Sequence, residues 1–185
     1  VPRAVAELTH RFAYNDLDSL TALLREHPGE FAAVVLEPMN VEEPHAGYLE
    51  ELAEAARRAG ALLVFDEVIT GFRYALGGAQ ELFGVTPDLA SFGKAMGNGM
   101  PISAVVGRAD VMAEMEEVFF SSTFGGESLS LAAAIAVVDK MRREPVIETL
   151  WRRGEALAAG TEALIARHGL GDVIALTGKA PWKLL

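Results

Sequence analysis

The sequence predicts an α/β fold, with a mostly parallel sheet covered by helices. Two observations lead to this prediction. Short apolar runs of strand length alternate with longer segments of helical periodicity, as they do in βαβ units. Carboxylates follow two of these runs directly, Glu37 after one and Asp66 after another. Sites in such sheets collect at the carboxyl ends of the strands, so function is expected there.

Four apolar runs are strand candidates, at residues 32–37, 61–65, 89–92 and 102–106. The clearest is Ala-Leu-Leu-Val-Phe at 61–65, a continuous apolar run typical of a buried parallel strand. Pro38 ends the first run, because proline cannot donate to a sheet ladder.

Five segments have helical periodicity, at residues 15–27, 47–59, 110–117, 129–143 and 146–168. In the first of them Leu17, Leu20, Leu23 and Leu24 form one apolar stripe. Such stripes indicate helices that pack one face against the sheet.

The chain has 185 residues, enough for one domain and part of a second. We expect residues 1–145 to form a large domain that lacks its N-terminal part. Residues 146–185 are expected to form a connecting helix and the start of a small C-terminal domain, with a strand-like run at 173–176 after a glycine-rich turn.

Composition argues against several classes of protein. The net charge is −10 and basic residues occur only in short pairs, so we expect no nucleic-acid partner. No apolar run approaches the roughly 20 residues that span a bilayer. The four histidines are scattered and cysteine is absent, which predicts no metal site and no disulfide. A cysteine-free chain is compatible with a reducing compartment, and we expect a cytoplasmic location.

Three patches could carry chemistry. In the first, Asp66 and Glu67 follow an apolar strand, where an unpaired buried charge is costly. Either they cap a helix or lie in a surface turn, or a cationic partner such as a protonated ring nitrogen or a metal explains them. We expect Glu67 to orient its neighbours rather than react.

The second patch places Lys94 among the glycines of Gly93-Lys94-Ala95-Met96-Gly97-Asn98-Gly99. Glycines let a backbone pass close to a ligand, and desolvation of a lysine lowers its pKa and raises its nucleophilicity. A plain surface lysine is the alternative interpretation.

The third patch, residues 121–128, is rich in hydroxyls and glycines and precedes a helix. It indicates either capping of that helix by Ser or Thr or binding of a phosphate at its N-terminus. Taken together, the acid, the lysine and the hydroxyls match the needs of pyridoxal phosphate, in which a lysine forms the Schiff base, an acid faces the ring nitrogen and hydroxyls take the phosphate.

At these residues the sequence resembles the class III aminotransferases, and within them glutamate-1-semialdehyde 2,1-aminomutase and its aminotransferase relatives. The resemblance runs from about Leu17 to Leu164. The strings that carry it are Leu-Val-Phe-Asp-Glu-Val-Ile-Thr-Gly-Phe-Arg at 63–73, Gly-Gly-Ala-Gln at 77–80, Gly-Val-Thr-Pro-Asp-Leu at 84–89, and Gly93-Lys94 followed by Gly-Asn-Gly-Met-Pro at 97–101.

The resemblance implies the large domain of the type I pyridoxal-phosphate transferase fold and a homodimer with active sites at the interface. It also implies a role for each of four residues. Lys94 is the Schiff-base lysine and proton carrier, Asp66 pairs with the pyridine nitrogen, Val68 packs on the ring, and Thr123 binds the cofactor phosphate in the partner subunit's site. The substrate is then a small amine with a keto or aldehyde partner.

Several alternatives stay open at this point. The enzyme is either a transaminase or an aminomutase, or the chain is an incomplete, non-catalytic piece that acts only as a folded or dimerising domain. Glu37 has either a structural or a site role. Arg73 pairs either with a substrate carboxylate or with an acid of the protein such as Glu67.

Overall fold

The computed structural model describes residues 1–181. At its centre is a four-stranded sheet in the order β1-β2-β3-β4, formed by β1 (Ala33–Leu36), β2 (Leu62–Asp66), β3 (Leu89–Phe92) and β4 (Ala104–Gly107). The first three strands are parallel and β4 is antiparallel to β3. The predicted α/β architecture with a mostly parallel sheet is therefore confirmed.

In the described part of the chain seven α-helices accompany the sheet: α1 (Arg3–Ala6), α2 (Leu17–Glu26), α3 (Tyr48–Arg58), α4 (Ala79–Phe83), α5 (Ala109–Met112), α6 (Ser128–Arg143) and α7 (Val146–Arg167). Two 3₁₀ turns cover Lys94–Met96 and Ala113–Glu116. None of the helices within residues 1–181 combines the length and the apolar character that a bilayer crossing requires.

The core lies between the sheet and the helices α2 and α3. Leu63 and Phe65 of β2 are 3% and 0% exposed, and Leu49 and Leu52 of α3 are 1% and 0% exposed. The apolar stripe of α2 contributes Leu20 to the same cluster. Each fully buried side chain of this size contributes about 1.5–3 kcal/mol by leaving water. The packing of α2 and α3 therefore fixes the position of the sheet whose strand ends carry the candidate site.

Three details differ from the sequence-based predictions. The run 173–176 is not a strand, since residues 171–173 form a turn and 174–176 have no regular structure. The predicted helix at 110–117 is α5 followed by the 3₁₀ turn Ala113–Glu116. The short helix α4 was not predicted. Strand propensity at 173–176 is not enough, because a strand also needs a neighbour to complete its ladder.

The helix α7 contacts the segment that follows β2. The indole nitrogen of Trp151 donates to the carbonyl oxygen of Tyr74 at 2.9 Å, and the centroids of the two rings are 5.8 Å apart.

The division between a large domain at 1–145 and a second unit at 146–185 stays a prediction. Residues 182–185, with Trp182, lie outside the described residues.

Candidate active site

Parallel pairing brings the ends of three strands to one edge of the sheet. Leu36 pairs with Phe65, and Asp66 pairs with Ser91. The residue after β1 is Glu37, and β3 continues into Gly93 and Lys94. Because β1, β2 and β3 run in the same direction, the two carboxylates and the lysine are delivered to the same end.

Asp66 is half-buried and its carboxylate is oriented by two donors. The backbone N–H of Val68 lies 3.0 Å from Oδ1, and the hydroxyl of Ser91 donates to the same oxygen at 3.1 Å. Within residues 1–181, Oδ2 accepts no hydrogen bond from the protein. The carboxylate is thus held by one oxygen and keeps the other for a further donor.

Lys94 has an unusual backbone conformation. Its φ angle is 39°, in the left-handed region that side chains rarely adopt, and its carbonyl accepts from the N–H groups of Gly97 and Asn98. The side chain is exposed. Left-handed backbone at a non-glycine residue costs of order 1–3 kcal/mol and is concentrated at functional sites.

Val68 packs beside the backbone that leads to Lys94. A Cβ atom placed on Gly93 would lie 3.5 Å from Cγ1 of Val68, so the Val68 side chain fills the space that a side chain at Gly93 would face. Val68 is half-buried, and its N–H holds Asp66. One residue therefore links the acid and the lysine loop.

Glu37 responds electrostatically to both Asp66 and Lys94. Burial raises the pKa of Glu37, and the charge of Asp66 raises it further, whereas a hydrogen bond with Asn40 and the charge of Lys94 lower it. Its Oε2 is buried and has no hydrogen-bond partner among the described residues. Glu37 is therefore held at the same end of the sheet as Asp66, with a carboxyl that favours its protonated form.

Two cavities lie beside the charged residues. Lys94 lines one of about 660 Å³, with Phe72, Asn98 and side chains of α6 and α7. Glu37 lines another of about 640 Å³. Asp66 lines neither of these two. Both volumes are in the range of small-molecule sites.

Thr123 is placed apart from the other candidates. It lies in an exposed turn over residues 123–126 and makes no hydrogen bond to Asp66, Val68 or Lys94 within the described chain. The predicted Ser or Thr cap of α6 is wrong. Instead, Glu127 accepts from the N–H groups of Leu129 and Ser130, both at 2.7 Å, so this carboxylate already occupies those donors.

The contacts of three residues at or near the candidate site were not predicted from the sequence. Ser91 gave no motif signal, although its position at the end of the strand next to Asp66 could have identified it. Asn40, whose side chain hydrogen-bonds to Glu37, was not predicted either. Arg73 donates to the carbonyl of Ile69 at 2.7 Å, while the Glu67 carboxylate accepts from other residues.

Comparison with known proteins places this chain in a family. Residues 2–178 match the family described as aminotransferase class III. The chain is 40% identical to the 3-aminobutyryl-CoA aminotransferase of Cloacimonas acidaminovorans, over 98% of this chain and 45% of the relative. It is 42% identical to the glutamate-1-semialdehyde 2,1-aminomutase of Syntrophobacter fumaroxidans, over 92% of this chain and 41% of that enzyme.

Solved structures agree with the sequence relatives. The FumI protein of Sphingopyxis sp. MTA144, in its pyridoxal-phosphate internal aldimine form, has a TM-score of 0.83 at 33% identity over 93% of this chain and 42% of its own. An ω-transaminase from Sphaerobacter thermophilus has a TM-score of 0.83 at 32% identity, over 91% and 40%. The chain thus spans less than half the length of these relatives, and it belongs to the class III aminotransferase family.

Proposed function

We propose that this chain forms part of a pyridoxal-phosphate-dependent enzyme of amino group transfer, either a class III aminotransferase or a glutamate-1-semialdehyde 2,1-aminomutase-like enzyme. The observation that carries the proposal is that Asp66 ends β2 and Lys94 follows β3 at the same end of the parallel sheet, with Asp66 paired to Ser91. Family membership over residues 2–178 supports it.

The residues present fit the cofactor. One oxygen of Asp66 is held by Val68 and Ser91, and the other is available to a protonated ring nitrogen. Lys94 offers an exposed amine on a strained backbone. Pyridoxal phosphate, when bound, supplies a ring that withdraws electrons from the carbon next to the transferred nitrogen.

Each residue then has a defined task in the proposal. Asp66 holds the proton on the ring nitrogen, because a carboxylate beside a cation favours the charged form. Lys94 would hold the cofactor through Nζ and would serve as the general base and acid that carries a proton. Val68 would pack against the cofactor, and Thr123 would bind its phosphate in the partner subunit's site.

The assignment of Thr123 to the partner subunit's site requires a homodimer. Beside Thr123 lies a segment with exposed apolar rings, in which Phe119 and Phe120 are 93% and 72% exposed. Clusters of exposed large apolar side chains mark interaction surfaces, which supports burial of this segment in the full protein. The cytoplasmic location expected from the composition stays a prediction.

The test uses the full-length protein and pyridoxal phosphate. Cofactor addition should produce an absorbance band near the visible edge, and borohydride reduction should leave the label on the peptide that contains Lys94. Lys94→Ala should abolish both signals. Lys179→Ala, which removes a lysine paired with Glu43 away from the cavity that Lys94 lines, should change neither. A wild-type full-length protein without a band contradicts the proposal.

A second candidate follows from the length of the chain, which covers 41–45% of its sequence relatives. In this view the 185 residues alone form a folded or dimerising piece without catalysis. Titration of the 185-residue chain with pyridoxal phosphate separates the two. Uptake with a reducible link to Lys94 contradicts the non-catalytic candidate, and absence of uptake beside an active full-length protein supports it.

Transaminase and aminomutase chemistry are separated by substrate requirements. An aminomutase moves nitrogen within one molecule and should convert glutamate-1-semialdehyde from the pyridoxamine form without added keto acid. A transaminase requires a separate donor and acceptor. The two sequence identities, 42% and 40%, support both classes, so turnover of each substrate set by the full-length enzyme decides between them.

A further inference from the structure

A second carboxylate, Glu67, follows Asp66 directly but is enclosed by different surroundings. Asp66 is half-buried, whereas Glu67 is 0% exposed. Consecutive residues at a strand end project to opposite faces. One carboxylate is therefore available to the candidate site, while the other is enclosed in the protein.

Four hydrogen bonds satisfy the Glu67 carboxylate. Oε2 accepts from the hydroxyl of Thr70 and from the N–H of Ala79 at 2.7 Å. Oε1 accepts from the N–H and the side-chain amide of Gln80 at 2.8 and 3.3 Å. A buried charge is stable only when its acceptor sites are filled, so this arrangement depends on all three neighbours.

The hydrogen bonds of the Glu67 carboxylate join the two ends of the segment 68–78, which begins at the candidate site. Ala79 and Gln80 are the first residues of α4, and they lie 12 and 13 residues after Glu67. The backbone of Glu67 is fixed as well, since its N–H donates to Ser91 and its carbonyl accepts from Gly71. The segment 68–78 is consequently tied to β2 at both of its ends.

The first residue of that tied segment is Val68. Its N–H orients Asp66, and its side chain packs beside Gly93. Any displacement of Val68 therefore reaches the carboxylate and the approach to Lys94. Glu67 itself is fully buried, so its carboxylate does not touch a cofactor or substrate bound at the site.

Gly78 leaves no space for a side chain beside the Glu67 carboxylate. It precedes α4 with a φ of 85°, and a Cβ added there would overlap the Glu67 carboxylate. Any side chain at this position must displace Glu67. Gly84, at the other end of α4, has a similar φ of 71°, but a Cβ there meets nothing within 4 Å.

We propose that Glu67 is a positioning residue of the cofactor site, which sets the orientation of Asp66 and Val68 by tying the start of the 68–78 segment to the N-terminus of α4. The inference rests on the proposed function, because it assigns what Glu67 positions. The proposed function requires Asp66 and Lys94. The inference adds that Glu67 is required to hold Asp66 and Val68 in position.

The test compares variants of the full-length protein loaded with pyridoxal phosphate. Glu67→Gln keeps the size of the side chain, but its amide brings N–H groups against the N–H donors of α4. Gly78→Ala displaces the carboxylate without changing it. Glu50→Gln and Gly84→Ala are the controls, since Glu50 is an exposed acid of α3, and Gly84 also has a positive φ, in the left-handed helical region, without the contact to Glu67.

Three quantities are measured for each protein: the dissociation constant of pyridoxal phosphate, the pH midpoint of its absorbance band, and the unfolding temperature without cofactor. We expect Glu67→Gln and Gly78→Ala to weaken binding at least about tenfold, the loss of one hydrogen bond to a charged group, and to shift the pH midpoint. The controls should bind within about twofold of wild type.

The outcomes separate positioning from plain stability. Lower unfolding temperatures with an unchanged pH midpoint and unchanged affinity would show that Glu67 is structural only, and would overturn the proposal. If Glu67→Gln does not fold, Thr70→Val removes a single donor, and it must shift the midpoint in the same direction as Gly78→Ala. Absence of any band in the wild-type protein would instead refute the proposed function.

Discussion

The Ser91 hydroxyl donates to Asp66 Oδ1 at 3.1 Å, across the pairing of β2 with β3. The two residues are 25 positions apart in the chain and directly opposite each other in the sheet. The same Ser91 accepts the N–H of Glu67 through its carbonyl. A single residue of β3 therefore orients both the acid of the candidate site and the backbone that follows it.

Ser91→Ala tests the importance of this contact. The variant keeps the backbone bond to Glu67 and loses only the hydroxyl donor, so the full-length protein should bind pyridoxal phosphate roughly tenfold more weakly, the effect of one hydrogen bond to a charged group. Cofactor titration by absorbance measures this change. Ser103→Ala, at an exposed position outside the candidate site, is the control, and an equal effect in both variants would argue against the role of Ser91.

Glu37→Gln should reveal the raised pKa of Glu37. Burial and the neighbouring Asp66 favour the protonated carboxyl in the folded state. A carboxyl with a raised folded pKa stabilises the fold below its unfolded pKa, and this contribution is lost as the pH rises through the folded pKa. Glutamine cannot ionise, so the variant should be more stable than wild type at neutral pH and no more stable near pH 4.

Urea unfolding of the full-length protein without cofactor, repeated across this pH range, measures the difference. Glu144→Gln supplies a control of opposite sign. A hydrogen bond from Lys140 lowers the pKa of Glu144, so this variant should not gain stability at neutral pH. A gain of equal size in both variants would contradict the assignment to Glu37.

Asp88 should stabilise the fold in the opposite pH direction. Burial acts to raise the pKa of Asp88, but hydrogen bonds from Arg108 and from the N–H of Leu63, both at 2.8 Å, outweigh it and lower the pKa. The stabilisation is therefore present above the unfolded carboxyl pKa and is lost as the pH falls through the folded value.

Asp88→Asn should consequently lower the free energy of unfolding by about 1–2 kcal/mol at neutral pH. The difference from wild type should shrink below roughly pH 4, where the unfolded carboxyl is protonated. Denaturant unfolding at a series of pH values checks this prediction. A difference that does not depend on pH would mean that packing, not charge, explains the loss.

The partner role of Thr123 can be tested by mixing subunits. A dimer that contains one Lys94→Ala chain and one Thr123→Ala chain combines an intact Lys94 with an intact Thr123 at one of its two sites. Mixing the two inactive proteins and allowing exchange should restore roughly a quarter of wild-type activity, since random pairing makes half of the dimers mixed. No recovery despite proven exchange would place Thr123 in its own subunit's site.

Two tyrosines should respond oppositely to loss of their hydroxyls. The hydroxyl of Tyr74 is buried without a hydrogen-bond partner in the described chain, and burial raises its pKa to about 12. The hydroxyl of Tyr14 donates to the carbonyl of Pro38 at 2.7 Å. Tyr14→Phe should cost about 1 kcal/mol of stability, whereas Tyr74→Phe should be neutral or stabilising. Denaturant unfolding of both variants measures the contrast.

Local patterns predicted most of the elements. β3 covers the predicted residues 89–92, and α6 and α7 begin within one residue of the predicted starts and end within one residue of the predicted ends. The helix α4 was missed, because its first N–H groups are satisfied by Glu67 from 12 residues away and five residues carry little periodicity. The reversed direction of β4 was likewise not predicted, because its run of five residues is too short to distinguish a parallel from an antiparallel strand.

The sequence by itself determined the fold class, the presence of a carboxylate and a lysine at strand ends, and the family that these strings resemble. Only the tertiary structure decided which atoms meet them: Ser91 on Asp66, Val68 beside Gly93, and α4 on Glu67. The physical reason is distance along the chain. Periodicity and capping act over a few residues, whereas these contacts join positions 12 to 25 residues apart, and only the packing of the sheet brings them together.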